Sequence, residues 1–408
     1  MLAPSASRLP PPEKRLSFLW LLVVAFAPYA LTLWVPFHFD DLSHIVGNAG
    51  LENIREGLPG DLKGFFVRGA SNLTYAVQRQ VWGEDPYAFR VFNVFLHVVN
   101  AWMLYRLFLR IPAGRDGNGT LRAARIAALL FLLHPMATGS VTYISGRHGL
   151  MSAAFILGAL LAFGEVLNRG TGAVRVIVLF LLGLGCKEDA LALPVLMGGL
   201  QWMARRGDAG RESDADPVRR AKGRRAAWIG VFAAAALFWV VRLDLFVDDP
   251  PDVPVREWQV TEAERIYGRF DYLRTQCWVV PNVYLARWIL PANLSIDLDV
   301  APRWSWDLET LFWALALMAA AAASARALAR GSGAGFWGLW VLAALVPSSS
   351  LQPLEDLASE TRTYLASAGL AALAAVGLFA LPDSSRFRMG IGGILACLGI
   401  LSAARNLE

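Results

Sequence analysis

Cysteine is scarce in this chain of 408 residues: Cys186, Cys277 and Cys397 are the whole supply. Three thiols so far apart form no disulfide framework and have no metal-ligand spacing. Charge is scarce too, at 17% Asp, Glu, Lys and Arg, where a soluble domain carries about 25%. No P-loop, G-x-G-x-x-G or G-x-S-x-G occurs in a usable setting, which removes the nucleotide-cradling and nucleophile-elbow chemistries. The apolar runs lack amphipathic alternation. "LFWALALMAAAAASA" and "AALFWVVRL" are apolar all round, which excludes a soluble bundle of half-buried helices.

What is present is hydrophobicity, at 56% of residues, in runs of near 20 that recur from end to end. That pattern is an all-α polytopic membrane protein. Spans are expected at 17–36, 89–108, 122–138, 149–167, 174–186, 189–203, 226–243, 308–325, 333–346, 364–381 and 389–404. Arg8, Lys14 and Arg15 precede the first run, and Pro28 follows the A-F-A at 25–27, so that run reads as a retained span rather than a cleaved leader. The stretch 275–291, with Pro281 and Arg287 in its middle, either crosses or lies at the interface. The positive-inside rule decides. With the N-terminus in the cytoplasm and 275–291 uncrossed, 22 of the 38 basic residues fall inside with only 8 of the 33 acidic ones. About eleven spans with an outer C-terminus is therefore the expected topology. The net charge of +5 is informative only through this distribution, and no nucleic-acid partner is expected.

This topology brings the polar motifs "FDDLSH", "HPMATGSVTYISGRHG", "CKEDA" and "LEDLASETRTY" to the outer face. Asp40 and Asp41 stand where the first span leaves the bilayer. Adjacent side chains do not share a direction, so one carboxylate can face a cavity while the other meets water or caps a helix. Arg90, Asn93, His97 and Asn100 recur at spacings of 3, 4 and 3. They form one inward stripe of the second span, as interhelical hydrogen-bonding groups or, for Arg90, a phosphate ligand. Tyr143, Arg147 and His148 face the outer interface, where an arginine fork suits phosphate or snorkels to headgroups. Lys187, Glu188 and Asp189 occupy a short turn, and Glu360, Arg362 and Tyr364 open a span; each group is a charged helix end or part of a site. A divalent ion, Mg²⁺ or Mn²⁺, held by Asp41, Glu188 or Glu360 with phosphate oxygens stays open, since such ions need only one or two carboxylates.

The same motifs, in order, carry a family resemblance. The Asp40–Asp41 pair, then Arg68, Asn93, His97 and Asn100, then "HP…T..V.YISGR…L" from His134 to Leu150 follow one another. "KE.A…LP" from Lys187, "LPANLSIDLD" at 290–299 and "P.S……E.R.YLASAG" from Pro347 to Gly369 complete the series. This series resembles the C-type (GT-C) membrane glycosyltransferases, most closely the transmembrane and tetratricopeptide-repeat O-mannosyltransferase-like family and its bacterial relatives. The resemblance implies one transmembrane unit over 1–404, with amphipathic helices in a first outer loop 37–88, a basic cytoplasmic loop 204–225 and an outer re-entrant or interfacial segment 244–307. Residues 405–408 would begin a C-terminal region that is missing or absent.

It further implies a polyprenyl-phosphate sugar as donor, inversion at the sugar carbon and an acceptor hydroxyl on a protein or glycan. Asp40 or Asp41 would be the general base. Arg147, Lys187 and Arg362, with Arg68 or Arg90 behind them, would meet the phosphate. His97, His134, Tyr143, His148, Glu188, Glu360 and Tyr364 would support or orient these groups. Trp258, Trp278, Trp288, Trp304 and Trp306 of the outer segment would touch the acceptor or form an interface belt among membrane lipids. The expected location is a bacterial inner membrane with a periplasmic active site. A lipid or solute transporter and a non-catalytic scaffold are the rival classes. A transporter needs charges deep in its spans and, often, matching halves, and no halves match here.

Overall fold

The computed structural model describes residues 16–52, 54, 59–111, 117–207, 216–247, 268–296, 298–349, 353–354, 356–379 and 385–406. Among these, no residue is in a β-strand. Helices stand at each of the eleven expected positions: α1 (Phe18–Tyr29), α3 (Pro86–Phe108), α4 (Gly117–Leu133), α5 (Arg147–Arg169), α6 (Ala173–Leu184), α7 (Leu193–Gly207), α8 (Pro217–Val247), α10 (Leu308–Ala329), α11 (Gly333–Ser349), α12 (Tyr364–Leu378) and α13 (Ser385–Arg405). Between them lie α2 (Ala70–Trp82) and α9 (Arg269–Val279). Trp258 and the first part of the outer segment lie outside the described residues.

Four of the described helical stretches are long and apolar enough to cross a membrane: Pro86–Phe108, Ile144–Arg169, Pro217–Arg242 and Leu308–Ala329. A fifth arises if Gly119–Leu133 and Pro135–Val141, bent by 52°, count as one. Among the others, α1 and α12 are shorter than expected. Pro28 sits inside α1, which tightens into a narrower turn at Ala30–Thr32. α12 starts at Tyr364 as expected, after the tight turn Glu360–Thr363, and ends at Leu378.

Sequence sets the helix ends. The Asp85 side chain accepts from Tyr87 N–H at 3.0 Å and Pro86 takes the first helical position, which fixes the start of α3. Gly170, left-handed at φ 72°, ends α5. α5 is the hub and packs on α3, α6, α7, α8 and α12. Its inward face interleaves Gly149, Ala153, Ala159 and Gly164 with Ile156, Leu160 and Phe163, all buried, and small residues of this kind let membrane helices approach closely. α10 is the opposite case: nothing in its most apolar stretch is buried, as befits a helix at the lipid boundary.

The first outer loop carries the expected amphipathic helix. Ser71, Tyr75 and Gln78 of α2 point inward on one face, while Val77, Val81 and Trp82 are exposed. The stretch 275–291 is helical up to Ile289, α9 running on through the wide turn Val280–Leu285, where Pro281 interrupts the regular ladder, to Ala286–Ile289.

Candidate active site

Asp41 lies at the start of a wide helical turn, Leu42–Val46, but its carboxylate does not cap that turn. It is fully buried and reaches across 104 residues to the "YISGR" motif. There Oδ1 accepts from Ser145 N–H at 2.8 Å and from Ser145 Oγ at 2.7 Å. Oδ2 is buried without a hydrogen-bond partner, and His38 Nδ1 stands 3.9 Å from it. Asp40 is exposed. The backbone explains the division: Phe39 is left-handed at φ 49°, a conformation a bulky residue seldom adopts, and it turns successive side chains to different sides. Such strain gathers where a site over-determines the chain.

The rest of this end is built on α3 and the turn before α5. Gly146 is the glycine the turn requires, since a Cβ there would lie 2.3 Å from Ser140 O. The Tyr75 hydroxyl donates to Ile144 O at 2.8 Å, fixing the turn from the α2 side. Tyr143 covers the Asp40 flank. Burial first, then the hydrogen bond and charge of Asp40, hold its phenol above its ordinary pKa.

The two arginines of α3 and α5 are engaged with protein. Arg90 donates from Nε to Thr142 O at 3.0 Å, from Nη2 to Pro36 O at 2.8 Å and from Nη1 to Val35 O. Arg147 donates to Asn93 Oδ1 at 2.9 Å, Thr74 Oγ1 at 3.1 Å and Phe89 O at 3.0 Å, with its guanidinium 4.3 Å from the Tyr75 ring centroid. Both are fully buried. The arrangement makes them clamps that hold the Asp41 loop and the "YISGR" turn on α3. His97 and Asn100 act as interhelical groups: His97 Nδ1 is 2.7 Å from the Tyr364 hydroxyl, and Asn100 Nδ2 donates to Leu150 O at 2.9 Å.

A second cluster faces the Asp41 loop. Arg68, itself left-handed at φ 63°, is exposed in the loop before α2. Ala70 N–H donates to Gly185 O at 3.1 Å, tying this loop to the turn that carries Lys187. Lys187 Nζ pairs with Asp189 Oδ2 at 2.9 Å, and the other Asp189 oxygen is buried without a partner. Burial alone would raise the Glu188 carboxyl, but Lys187, Arg68 and Arg242 together pull it below the ordinary carboxylate value. His148, buried, bonds through Nδ1 to Ser71 Oγ. His44 links the two clusters: burial and the Arg68 charge lower its pKa, and Asp40 and Asp41 act on it with the opposite sign. Arg362 lies deeper, donating to Asp356 O at 2.7 Å. Burial works against its charge, and Tyr284, Tyr272 and Asp356 more than restore it.

Glu360 belongs to a third cluster. It accepts from Ser295 N–H at 2.8 Å and from Arg405 Nη2, with Arg287 4.0 Å away. Burial, partly offset by Arg405, leaves its pKa above the ordinary value. Arg405 Nη1 also donates to Pro135 O at 2.8 Å, and Asn406 Oδ1 accepts from Thr142 at 3.0 Å. His134 stacks on Trp288 with ring centroids 4.6 Å apart and bonds its carbonyl at 2.8 Å. These contacts knit the last helix to the "HP" motif and so to the turn that holds Asp41.

Ser145, His38 and Arg242 carry weight that sequence reasoning left unassigned. Ser145 had a signal in its place inside the most specific motif. Arg242 had none, because it sits in an apolar helix far along the chain from Arg68. Among the described residues no group of three or more His, Cys, Asp or Glu side chains could hold a metal. Asp41, Glu188 and Glu360 stand in three separate environments. The free Oδ2 of Asp41 is at most one protein ligand, the situation in which Mg²⁺ or Mn²⁺ leans on phosphate and water oxygens.

No protein-family model matches the chain. It is 29% identical over 189 residues to Protein O-mannosyl-transferase Tmtc1 of Drosophila melanogaster, covering 43% of this chain and 21% of that protein. It is 28% identical over 193 residues to Protein O-mannosyl-transferase TMTC3 of Mus musculus, covering 42% and 20%. The matched region thus spans about a fifth of the length of these relatives. Among solved structures it is similar to the archaeal oligosaccharyltransferase AglB of Archaeoglobus fulgidus in complex with an inhibitory peptide and a dolichol-phosphate. That likeness has 14% identity and a TM-score of 0.45, over 95% of this chain and 56% of that one. The chain is thus similar in sequence to O-mannosyltransferases, as its motifs imply.

Proposed function

We propose that this chain is a membrane glycosyltransferase that moves a sugar, with inversion, from a polyprenyl-phosphate donor to an acceptor hydroxyl on a protein or glycan. The observation that carries this reading is the Asp41 carboxylate: one oxygen held by Ser145, the other buried and free. Such a carboxylate is oriented like a general base awaiting a proton. The similarity to named O-mannosyltransferases supports the reaction class.

In this mechanism Asp41 Oδ2 accepts the hydroxyl proton as the acceptor oxygen bonds to the anomeric carbon from the face opposite the phosphate. The carbon–oxygen bond to phosphate breaks and its electron pair leaves on the polyprenyl phosphate. Arg68 and Lys187 balance that charge, with Arg242 adding to the field. Arg90 and Arg147 act as positioning residues for the base. Arg362 reinforces the cluster through Tyr272 and Tyr284. The charge distribution supports an outer-face site with the N-terminus in the cytoplasm, in a bacterium the periplasmic side of the inner membrane.

The test is transfer from a polyprenyl-phosphate sugar to acceptor by the purified full chain, with Asp40→Asn and Asp41→Asn assayed separately. Loss confined to Asp41→Asn, with donor lipid still bound, supports the assignment. Full transfer by Asp41→Asn overturns it.

A further inference from the structure

Three helices have one end at the candidate site and the other at a second feature. α5 begins at Arg147 and ends beyond Leu167; α7 follows Lys187 and ends beyond Arg205; α8 starts at Pro217 and carries Arg242 toward Glu188. The Pro217–Arg242 stretch has 26 residues, about 39 Å at 1.5 Å per residue, enough to traverse a hydrocarbon core of about 30 Å. At the far end the three helices enclose a cavity of about 220 Å³, lined by Leu167, Gln201, Arg205, Pro217, Arg220 and Arg224 among others. A water's share of liquid volume is about 30 Å³, so there is room for a phosphate ester.

The wall is basic, and among the described residues no acid pairs with it. No guanidinium of Arg205, Arg220 or Arg224 makes a hydrogen bond or ion pair with a described residue, and Arg220 Nε is buried without any acceptor. A buried charged donor left unpaired is costly, so it marks a missing acceptor. Asp216, at the start of α8, accepts from Val218 N–H through Oδ1 at 3.0 Å. Over 205–225 the chain has eight basic residues against four acidic ones. With Lys222 and Arg225 exposed beside Val218, the flanking face of α8 carries the exposed Val218, Ile229 and Phe232, between 58% and 69% accessible. Spacings of 11 and 3 set them along one stripe.

We infer that this cavity is a binding site for the phosphate headgroup of an acidic membrane lipid, whose acyl chains lie along the Val218–Ile229–Phe232 stripe of α8. The apolar stripe leading away from the arginines favours a lipid over a free anion, and basic pockets between membrane helices suit such headgroups. The inference rests on the membrane-spanning bundle alone, so its failure would leave the glycosyltransferase reading intact.

The experiment is native mass spectrometry of the purified full chain in detergent, with phosphatidylglycerol or phosphatidylcholine added. Retention of phosphatidylglycerol should exceed that of phosphatidylcholine by roughly tenfold or more, as about 1 kcal/mol per basic residue implies. The preference should vanish in the triple variant Arg205→Gln, Arg220→Gln, Arg224→Gln, at an unchanged melting temperature in lipid-free detergent. Ala221→Trp, which keeps every charge and fills the cavity, should abolish it too. Equal retention of the two lipids, or a preference surviving either variant, overturns the site. Inorganic phosphate that displaces the lipid at equal concentration overturns the lipid assignment.

Discussion

Arg147 opens α5 wrapped by Asn93, Thr74, Phe89 and the Tyr75 ring, with no exposed surface. At the other end of the same bundle Arg205, Arg220 and Arg224 line an open cavity and touch no described partner. Both groups are arginines near a membrane boundary, so position alone predicts one behaviour for both. What separates them is the supply of acceptors. Carbonyls of Thr142, Val35 and Pro36 satisfy Arg90, and Asn93, Thr74 and the Phe89 carbonyl satisfy Arg147, so the buried pair becomes structure. At the far end none of the three guanidiniums reaches an acceptor among the described residues, and their charge faces the cavity.

The sharpest way to probe this contrast starts at the base. Asp41→Asn should lower transfer by about 10²-fold or more, while Asp40→Asn should change it by less than about tenfold; equal losses would erase the distinction between buried and exposed carboxylate. Next, Arg147→Ala should cost about 2–4 kcal/mol of stability, since it strips a buried donor from three acceptors, readable as a lowered melting temperature in detergent. The Glu188 carboxyl has a lowered pKa in the fold, so its contribution to stability is present above the ordinary carboxylate pKa and fades as pH falls through the folded value. Glu188→Gln should therefore be less stable than the parent at pH 7, with the gap closing as the pH of a thermal scan is lowered toward 3. Smallest of all, Arg224→Gln in lipid-free detergent should alter stability by no more than about 0.5 kcal/mol; a loss matching that of Arg147→Ala would break the comparison.

The helical architecture was open to reading because lipid removes the alternatives. Every apolar run of near 20 residues must close its own backbone bonds, so a helix at each expected position follows from length and composition. The motifs that meet around Asp41 were also visible, since polar residues cluster where the runs end. Their division of labour was not. Which aspartate turns inward depends on one left-handed residue, Phe39. Arg90 reads from sequence as a phosphate ligand because the carbonyls that engage it carry no mark in the residue types, and the Asn93 and Thr74 side chains meet Arg147 only through packing. Arg242 was silent for a different reason: its partner Glu188 lies in another turn, and only packing brings them together. The polar stripe of α3 was half legible. Its spacing gave the face, and the structure gave the partners, Tyr364 for His97 and Leu150 for Asn100.

The twist at Phe39 has a consequence for how such chains are compared. Two chemically identical acids stand one peptide apart, and only the second is delivered to Ser145. A homologue shortened by one residue between Val35 and Phe39 would still display the double aspartate to any pattern search. Its inward acid would nevertheless be misdelivered, and the chain would score as an intact enzyme while presenting an empty socket to its substrate.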